Sequence, residues 1–191
     1  MSVLISFLTM RLEYNMALIA SNLKDSIKND LQGKGTASDA LSALATTVAT
    51  YIKDNAVVNF GWVAALANPP FTPDPIVVAS GGIIALSFTL TPSMATTQTD
   101  AMTAIKTQFI AGLSLGTYNI TDAGFTTSPG LLSTSPTINT LSFSISGTDQ
   151  DTALLQFATG IINWVKAQVP ITPCSGTHGT FVGVGTVVSI V

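Results

Sequence analysis

Charge is what this chain has least of. Of its 191 residues, 9% are Asp, Glu, Lys or Arg, where a soluble domain ordinarily carries about 25%. The scarcity is uneven. Ten of the charges fall between Arg11 and Asp54, while the 137 residues from Asn55 to Val191 hold seven: Asp74, Asp100, Lys106, Asp122, Asp149, Asp151 and Lys166. With a net charge of −3 and no basic cluster, nucleic acid is excluded as a partner, because neutralising phosphates takes several Lys or Arg side chains on one face. Only Lys24, Lys28 and Lys34 lie close together, and Asp25 and Asp30 offset them.

Cysteine and histidine each occur once, as Cys174 and His178. A single Cys excludes an intrachain disulfide framework, so stability is expected to come from packing. The C-x3-H spacing of the pair supplies two potential zinc ligands where a structural site takes four. They read as incidental residues of a Gly/Ser/Pro loop, and neither metal nor cofactor is expected. Long apolar runs are missing too, since Pro, Gly, Thr and Ser interrupt every long uncharged segment; no membrane span or membrane partner is expected. The apolar start, Met1 to Met10, lacks the basic flank of a signal peptide, and Arg11 and Glu13 follow it. No P-loop, dinucleotide-binding glycine motif or H-E-x-x-H is present, so no small-molecule substrate is expected.

What the chain has in abundance is hydroxyl groups: 27 Thr and 18 Ser beside 47% hydrophobic residues. Polarity comes from neutral side chains. Residues Val3 to Leu31 carry apolar side chains every three or four positions (Leu4, Leu8, Leu12, Met16, Ile19, Leu23, Ile27) and predict a helix ended by Gly33 and Gly35. Thr36-Ala37-Ser38-Asp39 then reads as a capping box opening a second helix to about Lys53. The same T-x-x-D signal recurs as Thr97 to Asp100, before a helix over Ala101 to Leu113, and as Thr148 to Asp151, before one over Thr152 to Val169. Each of these two is preceded by an alternating strand pattern, Leu86 to Leu90 and Leu141 to Ile145, so a strand-then-helix unit is read twice. Further strand or turn character lies in Ala56 to Leu66, Ile76 to Ala79, Tyr118 to Thr127 and Thr180 to Val191, while Asn68 to Pro75, with four prolines, is a loop.

These elements predict an α+β fold: an N-terminal helical pair over residues 1–54, then an assembly domain over 55–191. In that domain a mostly antiparallel sheet carries the two later helices on one face. The loop Ser133 to Pro136 is of hairpin length, which favours antiparallel pairing.

Two constellations resemble catalytic ones. Gly112-Leu113-Ser114-Leu115-Gly116 matches G-x-S-x-G, with Asp122 or Asp149 and then His178 following in hydrolase order. That motif, however, needs a strand entering the serine and a helix leaving it, and here a helix ends and a strand begins. Asp149 and Asp151 form a carboxylate pair, but at a helix start, where negative charge is favoured by the dipole. No catalytic residue is assigned, and the chain is read as a non-enzyme.

Interface candidates are the two tryptophans, Trp62 and Trp164, because aromatics anchor binding hot spots, and the β-branched end Val187, Val188, Ile190 and Val191. That end follows Gly176, Gly179, Gly183 and Gly185, so a pliable segment delivers a strand that closes the chain's own sheet or joins a neighbour's edge. The helix over Thr152 to Val169 is apolar almost all round, which requires burial on most sides by this domain or by another subunit.

The Ser/Thr/Gly-rich strands such as Thr137 to Gly147, the Asn68-to-Pro75 loop, the missing catalytic set and the Gly-rich C-terminus together resemble small structural proteins of tailed-bacteriophage virions. That resemblance implies a non-enzymatic subunit that decorates or cements a capsid or belongs to a neck or tail. It would be assembled in the host cytoplasm and make symmetric contacts with copies of itself and other virion proteins. The alternatives are a subunit of a cellular surface layer or filament, and a small serine hydrolase built on Ser114.

Overall fold

A computed structural model describes residues 18–64, 77–94, 97–132, 141, 149–168, 173–179 and 181–191. The first helix among the described residues, α1 (Ala20–Leu31), is preceded by a break in the helix that the periodicity predicts. Leu18 and Ile19 precede it in extended backbone, with Ile19 at φ −114° and ψ 121°. The Tyr51 hydroxyl donates to the Ile19 carbonyl at 2.9 Å and accepts from its N–H at 3.0 Å. Both backbone groups are thereby satisfied outside a helix, which is what allows the break. The earlier part of the expected helix, residues 3–17, lies outside the described residues.

Helix α2 (Ala37–Asn55) starts at the capping residue the sequence marks: the Thr36 hydroxyl accepts from the Asp39 N–H and donates to its carboxylate. Helix α3 (Gln98–Ser114) repeats this with Thr97 and Asp100. Helix α4 (Gln150–Lys166) does not. Its cap is Asp149, whose carboxylate accepts from the Thr152 N–H and hydroxyl. The signal is shifted by one residue from the expected Thr148, because an Asp is as good a cap as a Thr and stands nearer the first turn.

Seven strands form one antiparallel sheet in the order β4-β6-β7-β1-β2-β3-β5. They are β1 (Val57–Ala64), β2 (Val77–Ala85), β3 (Thr117–Ile120), β4 (Phe125–Ser128), β5 (Gly130–Leu131), β6 (Cys174–His178) and β7 (Phe181–Ile190). The two ends of that order, β4 and β5, are separated in the chain by Pro129 alone. Residues 125–131 thus act as one bent strand: its first half pairs with β6 and its second half with β3. The sheet closes on itself as a barrel. Pro129, which has no N–H to give a ladder, stands where the partner changes. Across the same seam the Asn119 amide donates to the Thr127 carbonyl at 3.2 Å and accepts from the Thr127 hydroxyl.

The unit that recurs is a helix followed by a hairpin, and it occurs three times: α2-β1-β2, α3-β3-β4 and α4-β6-β7. Because neighbouring strands are antiparallel, the strand ends that follow the helices, Val57, Thr117 and Cys174, lie at one end of the barrel, and Ala64, Ile120 and His178 lie at the other. The strand-then-helix unit expected from Leu86 to Leu90 is only half present. Those residues form no ladder, although Phe88 and Leu90 are buried and Ser87 and Thr89 exposed. Tyr118 to Thr127, expected to have strand or turn character, has both: two strands broken at Thr121–Gly124, where Gly124 takes φ +92°. The Asn68-to-Pro75 and Ser133-to-Pro136 loops and most of the Leu141-to-Ile145 strand fall outside the described residues.

Inside the barrel Phe60 stacks on Tyr118 at 5.6 Å, and Trp62 meets Phe125 edge-on at 5.2 Å. Small residues on facing strands make the room. A Cβ on Gly81 would stand 2.7 Å from the Phe60 ring, and one on Gly185 would meet Ile120 at 2.7 Å. The buried helix residues, among them Leu23, Val48, Phe109, Phe157 and Ile161, join the same core as these strand residues. Phe109 links Phe88 to Phe157 by ring contacts at 4.8 and 6.0 Å. Helix α4 buries Phe157, Ala158, Ile161, Ile162, Trp164 and Val165 within its own chain, with α1 packed against it, and leaves Leu155 exposed.

Candidate assembly surface

None of the seven strands contains an Asp, Glu, Lys or Arg. The described charges all lie on the helices, at their caps, or in the turns after α1 and β3. Side chains alternate along a strand, so the barrel has an inner face filled as above and an outer face to which the strands contribute no Asp, Glu, Lys or Arg. On that outer face Val63 of β1 sits opposite Val184 of β7, with Val182 two residues along the same strand. These valines are 48%, 39% and 61% exposed, and Val188 is 72% exposed.

The reason they point outward is the content of the barrel. Trp62 and Phe60 fill the interior from β1, so the β7 residues facing them, Gly185 and Val187, are a glycine and a partly buried valine. The intervening positions, Val182 and Val184, are thereby turned to solvent. At Val188 the register shifts: Asn59 pairs with Ser189 and Phe60 with Val187, so Val188 is an extra residue in a β-bulge. Some of the outer face's polar groups are meanwhile engaged within the chain. The Asn59 amide donates to the Ser189 hydroxyl at 2.9 Å, and the Thr186 hydroxyl donates to the Gly61 carbonyl at 3.2 Å.

The six interface candidates separate on this basis. Trp62, Trp164 and Ile190 are 2–4% exposed and belong to the chain's own core, so they present nothing to a partner. Val187 is half-buried, and Val188 and Val191 are exposed. The C-terminal strand β7 pairs with β6 on one side and β1 on the other, within its own sheet. With both neighbours in place it has no edge to add to another molecule. Val63, Val182 and Val184 were not singled out from sequence. The pattern that marks them is Val182-Gly183-Val184-Gly185, a strict alternation whose larger members lie outside because glycines occupy the crowded side.

The residues of the hydrolase-like pattern each hold a separate local partner. The Ser114 hydroxyl donates to the Ala111 carbonyl at 2.7 Å at the end of α3. Asp122 accepts from the Ser80 N–H, Asp149 caps α4, and His178 stacks on Phe125 at 4.3 Å. Helix α3 enters the motif and β3 leaves it, the reverse of a nucleophile elbow. Cys174 and His178 lie on strand β6, not in a loop, and both face inward. Burial pushes the Cys174 thiol above its ordinary range, and its sulfur lies 3.7 Å from the Tyr118 carbonyl. Among the described residues no three His, Cys, Asp or Glu side chains gather to hold a metal ion. An open polar groove of about 550 Å³ runs between α1 and α2, lined by Asp30, Lys34, Asp39 and Thr47 among others.

Among the described residues no helix is long and apolar enough to cross a membrane. Comparison with protein-family models, characterised proteins and solved structures finds no match to the chain.

Proposed function

We propose that this chain is a non-enzymatic structural subunit that assembles through the neutral outer face of its barrel. The observation that carries the reading is the segregation of charge: seven strands without one Asp, Glu, Lys or Arg, while the charges of the described residues lie on the helices, at their caps or in two turns. A free protein gains solubility from charge on every face. A face with exposed valines and no charged side chain on its strands instead costs little to desolvate, which suits a permanent contact. Closure of the barrel directs that contact to side chains, since the strands leave no long edge for β-addition.

The resemblance to tailed-bacteriophage structural proteins supplies the setting: a capsid decoration, neck or tail component contacting copies of itself and other virion proteins. Mass spectrometry of purified particles, with negative-stain microscopy of the isolated protein, tests this reading. Stoichiometric presence in particles is the expected result. Absence from particles together with a strictly monomeric isolated protein overturns it.

A further inference from the structure

We infer that the partner on this face is a second copy of the chain, docked through β7 and β1 about a twofold axis; this rests on the structural-subunit reading above. In a twofold contact each side chain near the axis meets its own copy, so any charged group there meets a like charge. The strands β6, β7 and β1 satisfy that requirement, because they carry no charged Asp, Glu, Lys or Arg; on the β2 side the nearest charge is Asp122, held on the Ser80 N–H, so the axis falls at β7 and β1. A charged partner surface would lose its hydration against this face and find no counter-ion. The chain's own outer face is a surface that avoids that loss.

The chemistry agrees, and the size is modest. Laid flat, four strands roughly 4.8 Å apart and up to ten residues long would span about 20 by 30 Å; the barrel curves away from a partner, so the contact falls below the ~800 Å² each partner gives to a standard interface. The exposed valines Val63, Val182, Val184 and Val188 supply the apolar part. Two of the polar groups among them are paired within the chain, Asn59 with Ser189 and Thr186 with Gly61, which lowers the cost of covering them.

The chain provides its own test, because its single thiol, Cys174, is fully buried. A cysteine placed on the outer face is then the one accessible thiol. Full-length variants Val63→Cys, Val182→Cys, Val184→Cys and Val188→Cys, oxidised separately, should include at least one that forms a disulfide-linked dimer. Leu155→Cys, exposed on α4, should stay monomeric. In parallel, Val184→Lys should weaken association by roughly a hundredfold or more in sedimentation, since it buries like charges against each other. It should leave the melting transition intact, as the site is exposed.

Association that persists in Val184→Lys with no face cysteine crosslinking overturns the twofold contact while leaving the structural role standing. A monomeric chain whose face cysteines resist thiol reagents also overturns it, because residues 1–17 of the same chain then cover the face. A monomeric chain with reactive face cysteines that is nevertheless incorporated into particles overturns self-association and leaves a different virion protein as the partner. Absence from particles bears on the functional reading alone.

Discussion

Lys28 Nζ donates to Asp151 Oδ1 at 2.7 Å, tying α1 to the first turn of α4 across 123 residues of chain. It is the one ion pair among the described residues that joins distant segments; the others, Lys24–Asp25 and Lys53–Asp54, link neighbours. Both side chains are well exposed, so solvent screens the attraction and holding two long side chains costs entropy. Lys28→Ala is therefore expected to change stability by less than about 1 kcal/mol, read from urea unfolding. The α1–α4 contact rests instead on buried neighbours such as Leu23 and Ile27, and Leu23→Ala should cost about 2–5 kcal/mol.

The seam of the barrel yields a second prediction. Asn119 bridges β3 to β4 through both atoms of its amide, and its Oδ1 also accepts from the Ile120 N–H at 3.0 Å. Asn119→Ala leaves the Thr127 groups short of partners in a half-buried place, at a cost of about 1–3 kcal/mol. Hydrogen exchange should show the loss first as faster exchange in β3 and β4, with β1 and β7 protected until global unfolding.

Close approach of strands makes a third prediction, with its own control. A Cβ on Gly81 would lie 2.0 Å from the Asn119 carbonyl oxygen, and one on Gly176 would lie 2.1 Å from that of Thr126. Both obstacles are backbone, which cannot rotate away. Gly81→Ala and Gly176→Ala should each destabilise by about 3 kcal/mol or more, whereas Gly82→Ala, whose nearest contact is at 3.8 Å, should fold normally. Thermal melts of the three variants separate these outcomes.

Legibility of the fold in the sequence followed the range of the interactions involved. Helix starts were readable because a cap is local: Thr36 and Thr97 act within three residues of themselves. The break before Ala20 was not, since it depends on Tyr51, 32 residues away. Closure of the barrel likewise depends on a strand that changes partners at Pro129, and a proline read alone signals only an interruption. The candidate surface was half legible. Charge depletion after Asp54 was plain in composition, but assigning the interface to Trp62 and Ile190 assumed that the largest apolar groups face a partner. The crowded barrel interior takes those residues, and Val182 and Val184 are left outside.

The cap on α4 carries a pH dependence. Hydrogen bonds from the Thr152 hydroxyl and N–H hold the Asp149 carboxyl below its ordinary range. A carboxyl whose pKa is lower folded than unfolded stabilises the fold above its unfolded value, near 4, and that contribution disappears as pH falls through the folded value. Asp149→Asn keeps an acceptor at the cap but cannot titrate. Its stability curve should therefore be flatter than wild type below about pH 4 and run parallel to it near neutrality. Equal acid slopes in the two proteins would remove Asp149 as the source.

Salt and denaturant should separate the forces that would hold the proposed assembly. Ionic attraction between subunits weakens as the Debye length shrinks from about 10 Å at 0.1 M to about 3 Å at 1 M salt. A contact built on strands with no Asp, Glu, Lys or Arg has no such attraction to lose. Raising salt to 1 M should leave the association constant within about a factor of three, and sulfate, which strengthens apolar burial, should raise it. Urea well below the unfolding midpoint should dissociate the subunits, because it solvates apolar and peptide surface alike. Sedimentation across a salt series and a urea series checks both limbs, and dissociation by sodium chloride alone would place charged helices such as α1 or α4, not the barrel, at the contact.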